Sequence, residues 1–94
     1  MDNSCKTEEA KIREVLMRHS YRFIDFHDMR TRRNGTLVFA ELHLSVDGSL
    51  SVNEAHALTD HLENELKTEL PNANLTIHVE PKKPTALPKD KKLA

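Results

Sequence analysis

The sequence predicts an α+β fold in the order αββαβ, a two-layer sandwich with two helices on one face of a three-stranded mixed sheet. Three observations predict it. Residues 36–46 alternate between apolar and polar side chains, the period of two that is typical of a half-buried strand. The Asn34-Gly35 pair before this strand favours a tight hairpin turn. Segments with helical apolar spacing stand before and after the hairpin.

The first helix is predicted over residues 7–19. Its apolar residues recur at mostly helical spacings, and Glu8 and Glu9 in the first turn suit the positive end of the helix dipole. Residues 21–32 follow as a first strand, with Ile24 and Phe26 expected to face the helices. The alternate positions are expected on the opposite face: Phe23, Asp25 and His27.

The second helix is predicted to begin at Ser51, because Ser51 and Glu54 have the spacing of a capping box, and to run to about Leu70. Its expected apolar stripe consists of Val52, Ala55, Thr59, Leu62, Leu66 and Leu70. Residues 74–80 alternate again and predict a third strand. A crossover through a helix makes that strand parallel to the second, which gives a ferredoxin-like, metallochaperone-like arrangement.

The domain organisation follows from length and composition. Residues 7–81 form one small domain, after a frayed polar linker over residues 1–6 and before a disordered tail rich in lysine and proline over residues 82–94. The single cysteine, Cys5, excludes an internal disulfide and fits a reducing compartment; in a frayed segment it is expected to have no role. No apolar run reaches the length of a membrane span, so we expect a cytoplasmic location.

Composition also argues against two classes of function. The net charge of −1 and the lack of tryptophan disfavour nucleic-acid binding, and Arg30, Arg32 and Arg33 surround a hairpin turn without stacking residues beside them. No nucleophile elbow, glycine-rich phosphate loop or HExxH pair is present, so we do not expect an enzyme. Six histidines in 94 residues instead point to a metal or a pH response.

The predicted strands place metal-ligand side chains on the face of the sheet that the helices leave open. These are Asp25 and His27, Glu41 and His43, and His78 and Glu80, two from each strand. Neighbouring strands lie about 4.8 Å apart, so side chains at matching height can share one ion. Imidazole and carboxylate form the ligand set of zinc. His56, near the start of the second helix, could face a partner subunit, whereas His19 and His61 are expected to be ordinary surface residues.

Four separated motifs resemble one family. His27-Asp28-Met29-Arg30-Thr31-Arg32 is similar to the His-Asp-Leu-Arg-Thr-Arg motif in the C-terminal cytoplasmic domain of cation diffusion facilitator transporters. Residues 41–47, 54–56 and 76–81 follow in the order and spacing of that family. The resemblance extends over about residues 1–81.

The resemblance implies a homodimer below a zinc/proton antiporter whose membrane helices are absent from these 94 residues. It implies three zinc ligands from the sheet, His27, His43 and His78, with Glu80 at a position where aspartate is common. His56 would reach the metal across the dimer interface. The leading interpretation is a regulatory domain that closes its dimer on binding zinc or another divalent cation. The alternative is a stand-alone soluble metal carrier or sensor.

Overall fold

The computed structural model describes residues 5–82, which form two helices and one three-stranded sheet. The elements are α1 (Lys6–Arg18), β1 (Asp25–Asn34), β2 (Leu37–Asp47), α2 (Val52–Glu69) and β3 (Ala73–Lys82). The strand order is β1-β2-β3; β2 runs antiparallel to β1 and parallel to β3. The predicted αββαβ sandwich is confirmed. The expected tail beyond Lys82 and most of the expected linker lie outside the described residues.

The central strand β2 supplies the sheet side of the core. Its inward residues alternate as predicted, and each is at most 4% exposed: Val38, Ala40, Leu42, Leu44 and Val46. The main core packs four of these five against the buried faces of both helices, while Val38 lies in a smaller cluster. Both helices therefore lie on one face of the sheet, and no helix formed by residues 5–82 covers the opposite face.

The start of α2 is fixed by the predicted capping box. The Glu54 amide donates to Ser51 Oγ (3.0 Å), and the Ser51 amide donates to Glu54 Oε1 (2.8 Å). The predicted stripe is wrong at two positions: Leu58 is in the core, whereas Val52 is 85% exposed. Leu58, Leu62 and Leu66 are spaced four residues apart and so lie on one face of the helix. Val52 does not fall on that spacing.

The predicted orientations before β1 are wrong for two residues. Phe23 packs against the core, whereas Ile24 is 48% exposed. Residues 20–22 form a short 3₁₀ turn, so regular strand alternation begins only at Asp25. From that point the expectation is met, because Phe26 packs against the core.

A β-bulge interrupts β1 after His27. The pairing moves from His27 with His43 to Arg30 with Glu41, so β1 carries one extra residue there. Asp28 takes the left-handed conformation that the bulge requires, with φ of 58°.

The tight hairpin turn is also confirmed, one residue later than predicted. Asn34 pairs with Leu37, and the turn consists of Gly35, at φ of 65°, and Thr36.

The residue before α1 is part of the fold. Cys5, expected in a frayed segment, is 2% exposed and packs with Val38 and Ala73. A buried cysteine side chain behaves as a small apolar group. The polar residues next to Cys5 in the sequence gave no indication that it would be buried. Nearby, the Arg33 guanidinium of β1 pairs with Glu8 of α1 at 2.9 Å and fastens the helix to the hairpin.

Candidate metal centre

The strand register aligns three histidines across the open face of the sheet. His27 of β1 is paired with His43 of β2, and His43 is paired with His78 of β3. The rings of His27 and His43 are stacked with centroids 5.4 Å apart, and those of His43 and His78 with centroids 5.2 Å apart. We call His27, His43, His78 and the neighbouring Glu80 the sheet-face cluster.

Glu80 joins two of these imidazoles. Its Oε1 lies 3.4 Å from His27 Nε2, and its Oε2 is hydrogen-bonded to His43 Nδ1. One ligand atom from each of these three residues lies within 4.8 Å of the others. Ligand atoms around a tetrahedral zinc ion lie about 3.3 Å apart, because each bond is about 2.0–2.1 Å long. The trio could therefore enclose one such ion with small side-chain movements.

His78 lies beside the trio rather than within it. Its Nε2 is 3.5 Å from Glu41 Oε1, and its side chain is 51% exposed. Because its ring already stacks on His43, rotation of the exposed side chain could bring it to an ion held by the trio. Glu41 offers a further carboxylate oxygen at the same edge.

His56 is not brought to the sheet-face cluster of its own chain. It lies on α2, in the helical layer behind the sheet, where its Nε2 is 3.2 Å from Asp60 Oδ2. The side chain is 73% exposed. Of the five residues that the sequence marks as metal ligands, the structure brings four to one face of the sheet and leaves His56 on the other layer.

Asp28 joins the cluster although sequence reasoning assigned it no role. Its Oδ2 lies 3.6 Å from His43 Nε2 because the bulge turns the aspartate toward the open face. Strict alternation places Asp28 on the opposite side from His27, so only foreknowledge of the bulge could have found it.

Asp25 supports His27 from one side. Its Oδ1 lies 3.4 Å from His27 Nδ1, leaving the other ring nitrogen toward Glu80. A hydrogen bond to the second nitrogen commonly orients a ligating imidazole. A hydrogen bond from Lys82, at 3.0 Å, lowers the pKa of Asp25, with a smaller effect from Ser45. Asp25 is therefore a carboxylate at neutral pH.

His61 lies at the surface as expected, with its side chain 50% exposed, but His19 does not. His19 Nε2 is bonded to Glu65 Oε1 at 2.8 Å, and the side chain is only 14% exposed. His61 lies 3.4 Å from the same oxygen. The three form a second group of metal-ligand side chains, in the helical layer. Their spacing along the chain gave no signal, because His19 is more than 40 residues from its partners.

Within residues 5–82, neither helix has the length and apolar character needed to cross a bilayer.

Residues 6–82 match the family model described as the cytoplasmic domain of cation efflux proteins. The cation-efflux pump FieF of Shewanella oneidensis is 38% identical over 68 residues, and that of Pectobacterium atrosepticum is 44% identical over 55. These alignments cover 72% and 58% of this chain but only 23% and 18% of the two pumps.

Solved structures of similar domains share both fold and sequence. A solved chain of the zinc transporter CzrB in its zinc form is 39% identical with a TM-score of 0.76, over 87% of this chain and 94% of the solved chain. The metal-bound C-terminal domain of the CzcD transporter from Thermotoga maritima is 35% identical with a TM-score of 0.77, over 86% and 94%. The resemblance seen in the motifs is confirmed, and the family is one of transporter domains rather than enzymes. The chain belongs to the family of cytoplasmic domains of cation efflux proteins.

Proposed function

We propose that this chain is a zinc-binding, homodimerising regulatory domain of a cation diffusion facilitator transporter. The observation that carries the proposal is the convergence of His27, His43 and Glu80, with ligand atoms within 4.8 Å. Two imidazoles and a carboxylate suit zinc, and His78 beside them supplies a fourth donor. Relatives solved in a zinc form and a metal-bound form support a divalent ion here.

The charge on the open face supports cation binding. Four carboxylates lie around the three imidazoles: Asp25, Asp28, Glu41 and Glu80. Two cationic side chains, Lys82 and Arg30, pair with Asp25 and Asp28 respectively. A divalent ion would offset the remaining negative charge and relieve the crowding of imidazoles that would repel one another if protonated.

A second copy of the chain would complete the site. His56 stands 73% exposed on α2 and cannot reach the open face of its own sheet, because the sheet lies between them. In a dimer that sets α2 of one subunit against the sheet of its partner, His56 would add an imidazole across the interface. Metal would then hold the two subunits together.

Regulation would come from the difference in metal affinity between two dimer arrangements. An ion that is bound by both subunits in a closed arrangement, and by one subunit in an open one, shifts the population toward the closed arrangement. The aligned segments are only 23% and 18% of the lengths of the two pumps, so the partner of this domain would be an upstream transmembrane transport domain. Closure would report cytoplasmic zinc to it.

Isothermal titration calorimetry with Zn²⁺ tests the proposal in a variant that isolates the sheet face. His61→Ala removes one imidazole of the second histidine group and leaves the sheet-face cluster intact. This variant is expected to bind zinc saturably, and adding His27→Ala is expected to weaken the binding at least about tenfold, because one ligand is lost. Unchanged zinc affinity after the His27 substitution would refute the proposed site.

A further inference from the structure

The helical layer carries a second group of ligand-type side chains, which we call the helix-layer cluster: His19, His61 and Glu65. His19 follows the last residue of α1, whereas His61 and Glu65 lie four residues apart on α2 and so share one face of that helix. The rings of the two histidines meet edge to face, with centroids 4.8 Å apart and planes at 88°.

We propose that the helix-layer cluster is a separate binding site for a divalent transition metal ion of the zinc class. His19 Nε2 and His61 Nε2 lie 2.8 and 3.4 Å from Glu65 Oε1, and the ligand atoms of the three residues are all within 4.8 Å. Zinc bonds of about 2.0–2.2 Å fit between such atoms after the histidine–carboxylate hydrogen bond opens. Two imidazoles and one carboxylate leave a fourth position for water.

The other oxygen of Glu65 is already held in place. Arg18 Nη1 donates to Glu65 Oε2 at 2.7 Å, and the same guanidinium donates to Glu14 and Glu69, each at 2.9 Å. This support orients the carboxylate so that Oε1 faces the two imidazoles. Hydrogen bonds from Arg18 and then His19 lower the pKa of Glu65, so it is an ionised ligand at neutral pH.

The local charge favours a cation although an arginine lies close by. Three carboxylates, Glu14, Glu65 and Glu69, stand around two cations, Arg18 and Lys11. With neutral histidines these five charged side chains carry a net charge of −1. Their combined charge therefore attracts a divalent cation. Arg18 is paired with all three carboxylates, and their negative charges offset its repulsion of a bound cation.

Exposure gives an ion a way in and predicts the order of affinities. His61 is 50% exposed, whereas Glu65 and His19 are 23% and 14% exposed, so the cluster opens to water on the His61 side. His19 Nδ1 is buried and has no hydrogen-bond partner among residues 5–82. His27 in the sheet-face cluster has such support from Asp25. The helix-layer cluster is therefore the weaker of the two sites.

The test uses a double variant, His27→Ala with His43→Ala, that removes two imidazoles from the sheet-face cluster. Calorimetry with Zn²⁺ is expected to show about one remaining ion per chain. Adding His61→Ala, at a half-exposed position that tolerates truncation, is expected to weaken that binding at least about tenfold, because one of three ligands is lost. Absence of saturable binding in the double variant, or equal binding after the His61 change, would overturn the proposal.

Two variants that each replace a glutamate by glutamine separate the loss of a metal ligand from the loss of a negative charge. Glu65→Gln and Glu69→Gln each remove one negative charge that pairs with Arg18, but only Glu65 contacts the histidines. Glu65→Gln is expected to lose most of the zinc affinity of the double variant, and Glu69→Gln only a small part. Equal losses would mean that charge alone attracts the ion and would refute the site.

The melting temperature provides an independent test of zinc binding at the helix-layer cluster. The ion would connect the end of α1 to α2, and a ligand that binds only the folded state raises the melting temperature. At one zinc concentration that saturates the double variant, the melting temperature is expected to rise clearly less in the His61→Ala triple variant than in the double variant. An equal rise in both would contradict the proposal. Because the sheet-face cluster is disabled in both proteins, the result is independent of the proposed regulatory function.

Discussion

His43 occupies the middle of the sheet-face cluster. Its ring stacks on His27 on one side and on His78 on the other, and it is bonded to Glu80. The side chain is 35% exposed, less than those of both neighbouring histidines. A residue in contact with every other member of the cluster is the one whose loss should disturb metal binding most.

Replacement of His43 by alanine is expected to weaken zinc binding at the sheet face at least about tenfold, because it removes the central ligand. Calorimetry in the His61→Ala background measures the change without the helix-layer cluster. Thr76→Ala is the control, since Thr76 is exposed on β3 beside Glu41, two residues before His78 in the same strand. Similar affinities for the two variants would argue against His43 as a ligand.

Asp28 combines an uncommon backbone conformation with a contact to the cluster. At φ of 58° a glycine is free of the strain that a Cβ introduces, and aspartate tolerates the region better than alanine. We expect Asp28→Gly to be more stable than Asp28→Ala by about 1 kcal/mol. Urea unfolding of the two variants measures the difference. Equal stabilities would show that the bulge relaxes when the carboxylate is removed.

At the scale of the elements, α2 depends on its capping box. Ser51→Ala leaves the Glu54 amide without its acceptor and is expected to lower the free energy of unfolding by about 1 kcal/mol. Asn53→Ala, at an exposed position in the same first turn, serves as the control. Urea denaturation at neutral pH gives both values, and a Ser51 variant as stable as the control would mean that the cap contributes nothing.

The link between α1 and the hairpin predicts a pH dependence. The Arg33 guanidinium lowers the pKa of Glu8 chiefly through their hydrogen bond. A carboxyl whose pKa is lower in the folded state adds stability above its unfolded pKa, about 4.3, and loses it as the pH falls through the folded value. Arg33→Gln should therefore cost stability at pH 7, with the loss shrinking below about pH 4.

Chemical unfolding of the Arg33 variant and the parent protein at both pH values tests this dependence. Arg22→Gln, in the exposed 3₁₀ turn, controls for the change in net charge. A deficit for Arg33→Gln that is equal at pH 7 and pH 3 would assign the effect to packing rather than to the ion pair with Glu8.

Features of the helices and strands that depend on neighbouring residues could be predicted from the sequence, whereas those that depend on contacts between distant residues could not. The alternation of β2 and the capping box of α2 are local patterns, and both occur as expected. The bulge at Asp28 depends on pairing across strands, and the burial of Cys5 depends on contacts with Val38 and Ala73. Such long-range contacts leave no periodic trace in the sequence.

The same distinction applies to the candidate sites. Strand alternation alone placed His27, His43 and His78 on one face of the sheet, because successive side chains point to opposite faces. Their alignment in one row depends on the register between the strands, which alternation does not fix. The helix-layer cluster could not be predicted, since it depends on where the end of α1 meets α2. His19 and Glu65 are brought together only by the packing of the two helices on the sheet.

At the scale of the whole molecule, zinc is expected to alter the arrangement of the proposed dimer. A nitroxide at Asn64→Cys, exposed on α2, reports the distance between subunits, and Cys5 is too buried to be labelled. We expect double electron–electron resonance to show a narrower distance distribution in the presence of zinc. The same measurement on a His56→Ala variant should lose this response, because that change removes the proposed ligand across the interface.

The central claim is that side chains from all three strands, the imidazoles of His27 and His43 and the carboxylate of Glu80, share a metal ion on the open face of the sheet. Crystals grown with zinc and measured on both sides of the zinc absorption edge test it most directly. The account predicts an anomalous peak within about 2.0–2.2 Å of ligand atoms of His27, His43 and Glu80. A zinc-soaked crystal with no anomalous density between those side chains would contradict it.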